Sequence, residues 1–184
     1  MAASNLIQLK INSFEYLTSK LIDWYEKKNN SRDFENKFST LKLIKLHFFV
    51  CAASTVNSEI DLLSTFNRFH AMPYGHVESD IYDAINSDNL QYFKIDKYSI
   101  KTKATISKFD CELKDSINKA IDLLITKNPD LINYSAMDLV ELSHQWHSWQ
   151  SIYNLARSQN MYSLPIPSEV IRKEDKFFHL PSYA

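Results

Sequence analysis

The side chains in this sequence best suited to chemistry are its six histidines. His144 and His147 are three positions apart and Glu141 lies another three back, so on one helix all three share a face at the spacing of metal ligands. Such a Glu-x-x-His-x-x-His face would hold zinc if His70 or His76 folded over it, giving a metal-dependent hydrolase built on Glu141, His144 and His147. The plainer reading is structural: His144 donates across a bundle to fix a helix end, and His147 faces solvent. Nothing in the sequence supplies the remaining ligands at a fixed spacing, so no metal and no other cofactor is expected.

Other catalytic arrangements find less support. There is no Gly-x-Ser-x-Gly elbow and no glycine-rich phosphate loop, and a chain with a single glycine cannot build the backbone cradles those reactions use. Ser143 and His144 are adjacent, so on a helix they point apart. Cys51 and Cys111 both fall in apolar helical patterns and read as buried, reduced thiols, too few for a disulfide framework. Lys94, Lys97, Lys101 and Lys103 interleave with Tyr92, Phe93 and Tyr98 as in a base-stacking platform, but a net charge of -1 and the absence of arginine there argue against a nucleic-acid partner. The chain therefore reads as a non-enzyme.

These residues need a scaffold, and the composition says which kind. With 184 residues, 45% apolar and 23% charged, the sequence fits one globular domain over 1–184. The Met1 to Asn5 start lacks the layout of a secretion signal, and the longest apolar stretch, Leu43 to Ala53, is interrupted by Lys45 and His47 and falls short of the ~20 residues of a spanning helix. A cytoplasmic protein without a membrane partner is expected. Ten tyrosines and three tryptophans exceed the needs of a small core and suit an interface.

Periodicity predicts a mainly α, compact bundle of about six to eight helices, with a small β-hairpin or edge strand near residues 92–103. Ile7, Ile11, Phe14, Leu17, Leu21 and Trp24 mark an N-terminal helix within 1–30, ending at Lys27-Lys28-Asn29-Asn30. After Ser39 a second helix is apolar nearly all round and so central, with Lys42 and Lys45 sharing its one exposed stripe. A short helix is expected within Asn57 to Phe69. Period-two alternation from Tyr92 to Lys103 predicts the hairpin, with Asp96 and Lys97 at its turn. Ser107 with Asp110, and Ser135 with Asp138, are capping signals for helices carrying Phe109 to Leu124 and Met137 to Trp146, the first stopped by Asn128-Pro129. A further piece turns Trp149, Ile152, Tyr153 and Ala156 inward. Leu164-Pro165-Ile166-Pro167 is an extended stop, Ser168 a new N-cap, and His179 to Ala184 a mobile tail.

Gly75, the lone glycine, sits in Phe69-His70-Ala71-Met72-Pro73-Tyr74-Gly75-His76-Val77-Glu78-Ser79-Asp80-Ile81-Tyr82. Its retention predicts positive φ or a close backbone approach. Pro73 biases Met72 toward an extended conformation, so an extended segment should arrive, turn at Tyr74-Gly75 and leave as a helix from Val77 to Ser87.

Ala71, Pro73, Tyr74, Gly75, Val77 and Tyr82 resemble the signature of the Panacea-domain, SocA-like antitoxin family, with His76 where that pattern has proline. Leu41 to Phe49 upstream, and Leu139 to His144 with Trp149 downstream, are similar to further segments of the family in the same order, so the resemblance covers roughly residues 38–160. It implies a protein-binding module that neutralises a toxic protein encoded by a neighbouring gene, by direct binding or, in one branch, by delivery to a protease. Phe69, His70, Pro73, Tyr74, Gly75, Val77, Tyr82, His144, Trp146 and Trp149 are the expected signature and partner-binding residues, lying near one another.

Overall fold

The computed structural model describes residues 2–56, 61–104, 109 and 111–180. Among them the order is α1 (Ala2–Asn29), α2 (Thr40–Ala53), β1 (Phe69–Met72), β2 (Gly75–Glu78), α3 (Ser79–Asn86), β3 (Phe93–Ile95), β4 (Ile100–Thr102), α4 (Lys114–Lys127), α5 (Ala136–His144), α6 (His147–Ser158), β5 (Leu164–Pro165) and α7 (Ser168–Lys173). The fold is mainly helical, with a three-stranded antiparallel sheet in the order β2-β1-β5 and a separate β3–β4 hairpin.

Local signals set many boundaries. Asn30 takes a left-handed φ of 48° and ends α1. Ser39 caps α2, its hydroxyl accepting from the Lys42 amide. Ser135 and Asp138 form a reciprocal capping box on α5, an arrangement that stabilises a helix start by about 1 kcal/mol. Asp96 accepts from the amides of Tyr98 and Ser99, both at 2.8 Å, and closes the hairpin turn.

α2 is the central helix, buried from Lys42 to Ala53 and packed by α1, α4, α5 and β2. The solvent-facing stripe expected at Lys42 and Lys45 does not exist. Neighbours close over that side of α2 as well, leaving Lys45 fully buried and Lys42 nearly so.

The segment after Gly75 also departs from expectation. It continues as strand β2, and α3 begins only at Ser79. All four β2 residues are buried, which erases the period-two pattern that would mark a strand. Glu78 does not ride in the first turn of α3 but caps it, its Oε2 accepting from the Ile81 amide at 2.9 Å. The same carboxylate, with Asp80, holds the buried Lys10 ammonium of α1 at 2.6 and 2.5 Å, and so ties α1 to α3.

Of the helix expected within Asn57 to Phe69, residues 57–60 lie outside the described residues; the rest holds one 3-10 turn, Leu62–Ser64, before β1. Ser107 and Asp110 also lie outside the described residues, and α4 starts at Lys114, later than Phe109. Leu164-Pro165 is more than a stop, since it pairs with His70 and Ala71 as an edge strand, where proline is tolerated. Ser168 is the first helical residue of α7 behind Pro167 and makes no cap. His179 is pinned to the Lys127 carbonyl at 2.6 Å, whereas residues 181–184 of the expected tail lie outside the described residues.

Candidate functional site

The β1–β2 turn, Pro73-Tyr74, is the point on which separate parts of the chain converge. Gly75 follows it at a φ of +93°. A Cβ there would collide with the Ser143 hydroxyl and come within 2.9 Å of Lys45 Nζ, so the position demands glycine on two independent grounds. The turn's carbonyls are held from α5 and α6: Trp149 Nε1 donates to Met72 O at 2.8 Å, and His144 Nε2 donates to Pro73 O at 3.1 Å. The His144 and Trp149 rings stack at 3.8 Å, and Trp149 stacks on Tyr153 at 4.7 Å, which fixes the orientation of both donors.

Behind the turn runs a sealed polar chain. The His76 amide donates to Ser143 Oγ at 3.2 Å, and the His76 ring bridges two serines, Nδ1 hydrogen-bonded to Ser143 Oγ at 2.9 Å and Nε2 to Ser148 Oγ at 2.8 Å, one ring nitrogen donating and the other accepting. The Ser148 amide donates to Glu174 Oε2 at 2.9 Å. Lys45 Nζ donates to the His76 carbonyl at 2.6 Å, and the His76 ring lies flat on Phe48 at 3.6 Å. Burial, then the nearby Lys45 and His144, hold His76 well below the usual imidazole range, and burial alone holds Lys45 well below the usual amine range. Burial also raises the Glu174 carboxyl, against opposing hydrogen bonds from Ser148. Serine, imidazole and carboxylate in series have the composition of a hydrolytic relay, and here Ser143, His76 and Ser148 are all fully buried. Their effect is to lock β2 to α5, α6 and the C-terminal segment.

In front of the turn a groove of about 700 Å³ opens between the turn, α2, α3, α5, the hairpin and the loop after α6. Its floor is apolar: Leu41, Ile44, Val77, Ile85 and Ile95. Its walls carry large side chains left in solvent: Tyr74 (57% exposed), Tyr82 (36%), Met137 (56%) and Tyr162 (67%).

The expected site residues thus divide by position. Tyr74, Tyr82 and Val77 line the groove; Pro73, Gly75, His144 and Trp149 build or hold the turn. His70 is half-buried on β1 and lines no part of the groove. Phe69 and Trp146 are core residues and cannot meet a partner: Phe69 lies against His47 and Phe48, and Trp146 among Phe48, Phe49, Phe177 and Phe178. No motif marks Met137 or Tyr162 as part of a site, and Lys45 is marked only by its place in an apolar run.

The Glu141, His144, His147 face does not form. α5 ends at His144 and α6 begins at His147, because the chain between extends at Trp146 to drive its indole into the core. Among the described residues no group of three His, Cys, Asp or Glu side chains converges as a metal site. Cys51 is buried, which raises its thiol well above the usual range.

The arrangement defines a mainly helical domain that presents a clamped turn and an exposed aromatic groove. Compared with known families, curated proteins and solved structures, the chain matches none. Among the described residues no helix is long and apolar enough to cross a membrane.

Proposed function

We propose that this chain is a non-enzymatic protein-binding module which, like the Panacea-domain antitoxins its motifs resemble, neutralises a toxic protein partner in the cytoplasm by covering part of its surface. The observation that carries this reading is the groove: four large, exposed side chains from four separate segments face one apolar floor. Aromatic residues and methionines so placed are typical anchors of protein interfaces. The clamped turn adds rigidity, since Tyr74 stands beside carbonyls fixed by His144 and Trp149 and less order is lost when a partner binds.

Co-expression with the product of the adjacent reading frame tests the proposal. Rescue of growth together with co-purification of the two proteins is expected. Unaltered toxicity without co-purification overturns it.

A further inference from the structure

Resting on that reading, we infer that the groove takes an amphipathic helix of the partner protein, with acidic side chains flanking its apolar face. The volume of about 700 Å³ over an apolar floor suits the large anchors that a helix presents every three or four residues.

An added strand would meet main-chain groups already taken at two points beside the groove. On β2 the outward main-chain groups of His76 are already taken, the amide by Ser143 and the carbonyl by Lys45. At the hairpin end the Asp96 carbonyl accepts from both the amide and the hydroxyl of Thr40 at 2.9 Å. A helix satisfies its own backbone hydrogen bonds and so needs neither of these points.

The charge on the rim has a sign. Four charged residues border the groove: Asp88, Lys94, Asp96 and Lys97. Asp88 is paired with Lys103 at 2.7 Å, whereas Asp96 accepts from the neutral amides and hydroxyl of its own turn and keeps its negative charge. Lys94 and Lys97 have no carboxylate partner among the described residues. With Asp88 cancelled by Lys103 and Asp96 offsetting one of the two lysines, a single positive charge is left to complement, so the partner helix carries Asp or Glu at its flank.

The test is selection from two phage-displayed libraries against the immobilised full chain, one of helix-forming segments about four turns long and one of proline-containing extended segments of equal length. Enrichment of helical clones with apolar residues at i, i+3, i+4 and i+7 and Asp or Glu beside them is expected. Their binding should fall at least about tenfold on Tyr162→Ala with Met137→Ser, and shift to basic-flanked clones on Lys94→Glu with Lys97→Glu. Enrichment of proline-containing or basic-flanked clones on the unaltered protein, or no enrichment sensitive to these substitutions, overturns the inference. If neutralisation by co-expression succeeds while the selection fails, the helix is wrong and the binding reading stands; if co-expression fails, the binding reading is wrong.

Discussion

Gly75 lies in direct contact with Ser143: the backbone of β2 presses against the side chain of α5 so closely that no Cβ fits between them. Two costs therefore add for Gly75→Ala, the left-handed conformation and the collision. A loss of about 2–4 kcal/mol in urea unfolding is expected. Gly75→Asn separates the two, because asparagine relieves part of the conformational cost and none of the collision. It should be nearly as destabilising as alanine.

The two fully buried lysines should behave in opposite ways. Lys10 neutralises Glu78 and Asp80, so Lys10→Met strands buried carboxylates and should cost about 3–5 kcal/mol. Lys45 has a carbonyl for its hydrogen-bond partner and no carboxylate. Its amine is held well below the usual range by burial, so the unfolded chain binds a proton there that the folded chain does not, and stability lost at neutral pH returns as pH rises toward the ordinary lysine value. Lys45→Met should change stability by less than about 1.5 kcal/mol near pH 7, and any advantage it has there should shrink near pH 10. Paired urea titrations at the two pH values check this.

Acid should destabilise the fold before its carboxylates titrate. Burial lowers His47 to about 3 and His76 well below the usual range, so both stay neutral in the fold while the unfolded chain protonates them below about 6.5. Stability then falls as pH drops, by about 1.4 kcal/mol per pH unit for each histidine. Glu15 and Glu174, raised by burial, work in the opposite sense. His47→Leu isolates one contribution, since among the described residues neither ring nitrogen of His47 has a hydrogen-bond partner for the substitution to remove. The variant should lose about one proton of uptake on unfolding near pH 5, measured as a shallower dependence of stability on pH.

In the groove, Tyr82→Ala and Tyr162→Ala remove exposed rings and should move the thermal midpoint by only about 2 °C. Neutralisation of the co-expressed partner should weaken at least about tenfold in each. Equal loss of folding and neutralisation would instead mark these rings as structural.

His144 and His147 should prove unequal. His144→Ala removes the donor to the Pro73 carbonyl and the stack on Trp149, and should cost roughly 1–2 kcal/mol. His147→Ala, at an exposed position, should be silent in the same denaturation experiment.

What could be read from the sequence was what is decided within a few residues. The asparagine ending α1, the caps at Ser39 and Ser135 and the turn at Asp96 each depend on neighbours along the chain. Gly75 was also legible, although only its conformation and not its contact with Ser143. Burial of lysines by distant segments was not, because Lys45 becomes interior only when β2 crosses α2. The same holds for β5, a proline-containing pair of residues that is a strand only beside β1. Helical periodicity carried α5 on to Trp146, and packing of one indole among four phenylalanines ends it at His144. The groove gathers Tyr74, Tyr82, Met137 and Tyr162 from segments far apart, so no local pattern could announce it.

The sheet order has a consequence for biosynthesis. β1 leaves the ribosome early, yet one of its edges stays bare until β5 has been translated. While the segment between β1 and β5 is being made, the nascent chain therefore exposes a pairing edge beside the unfinished core, a natural docking point for a chaperone. Acquisition of protease resistance should lag behind helix formation until β5 has emerged from the ribosome.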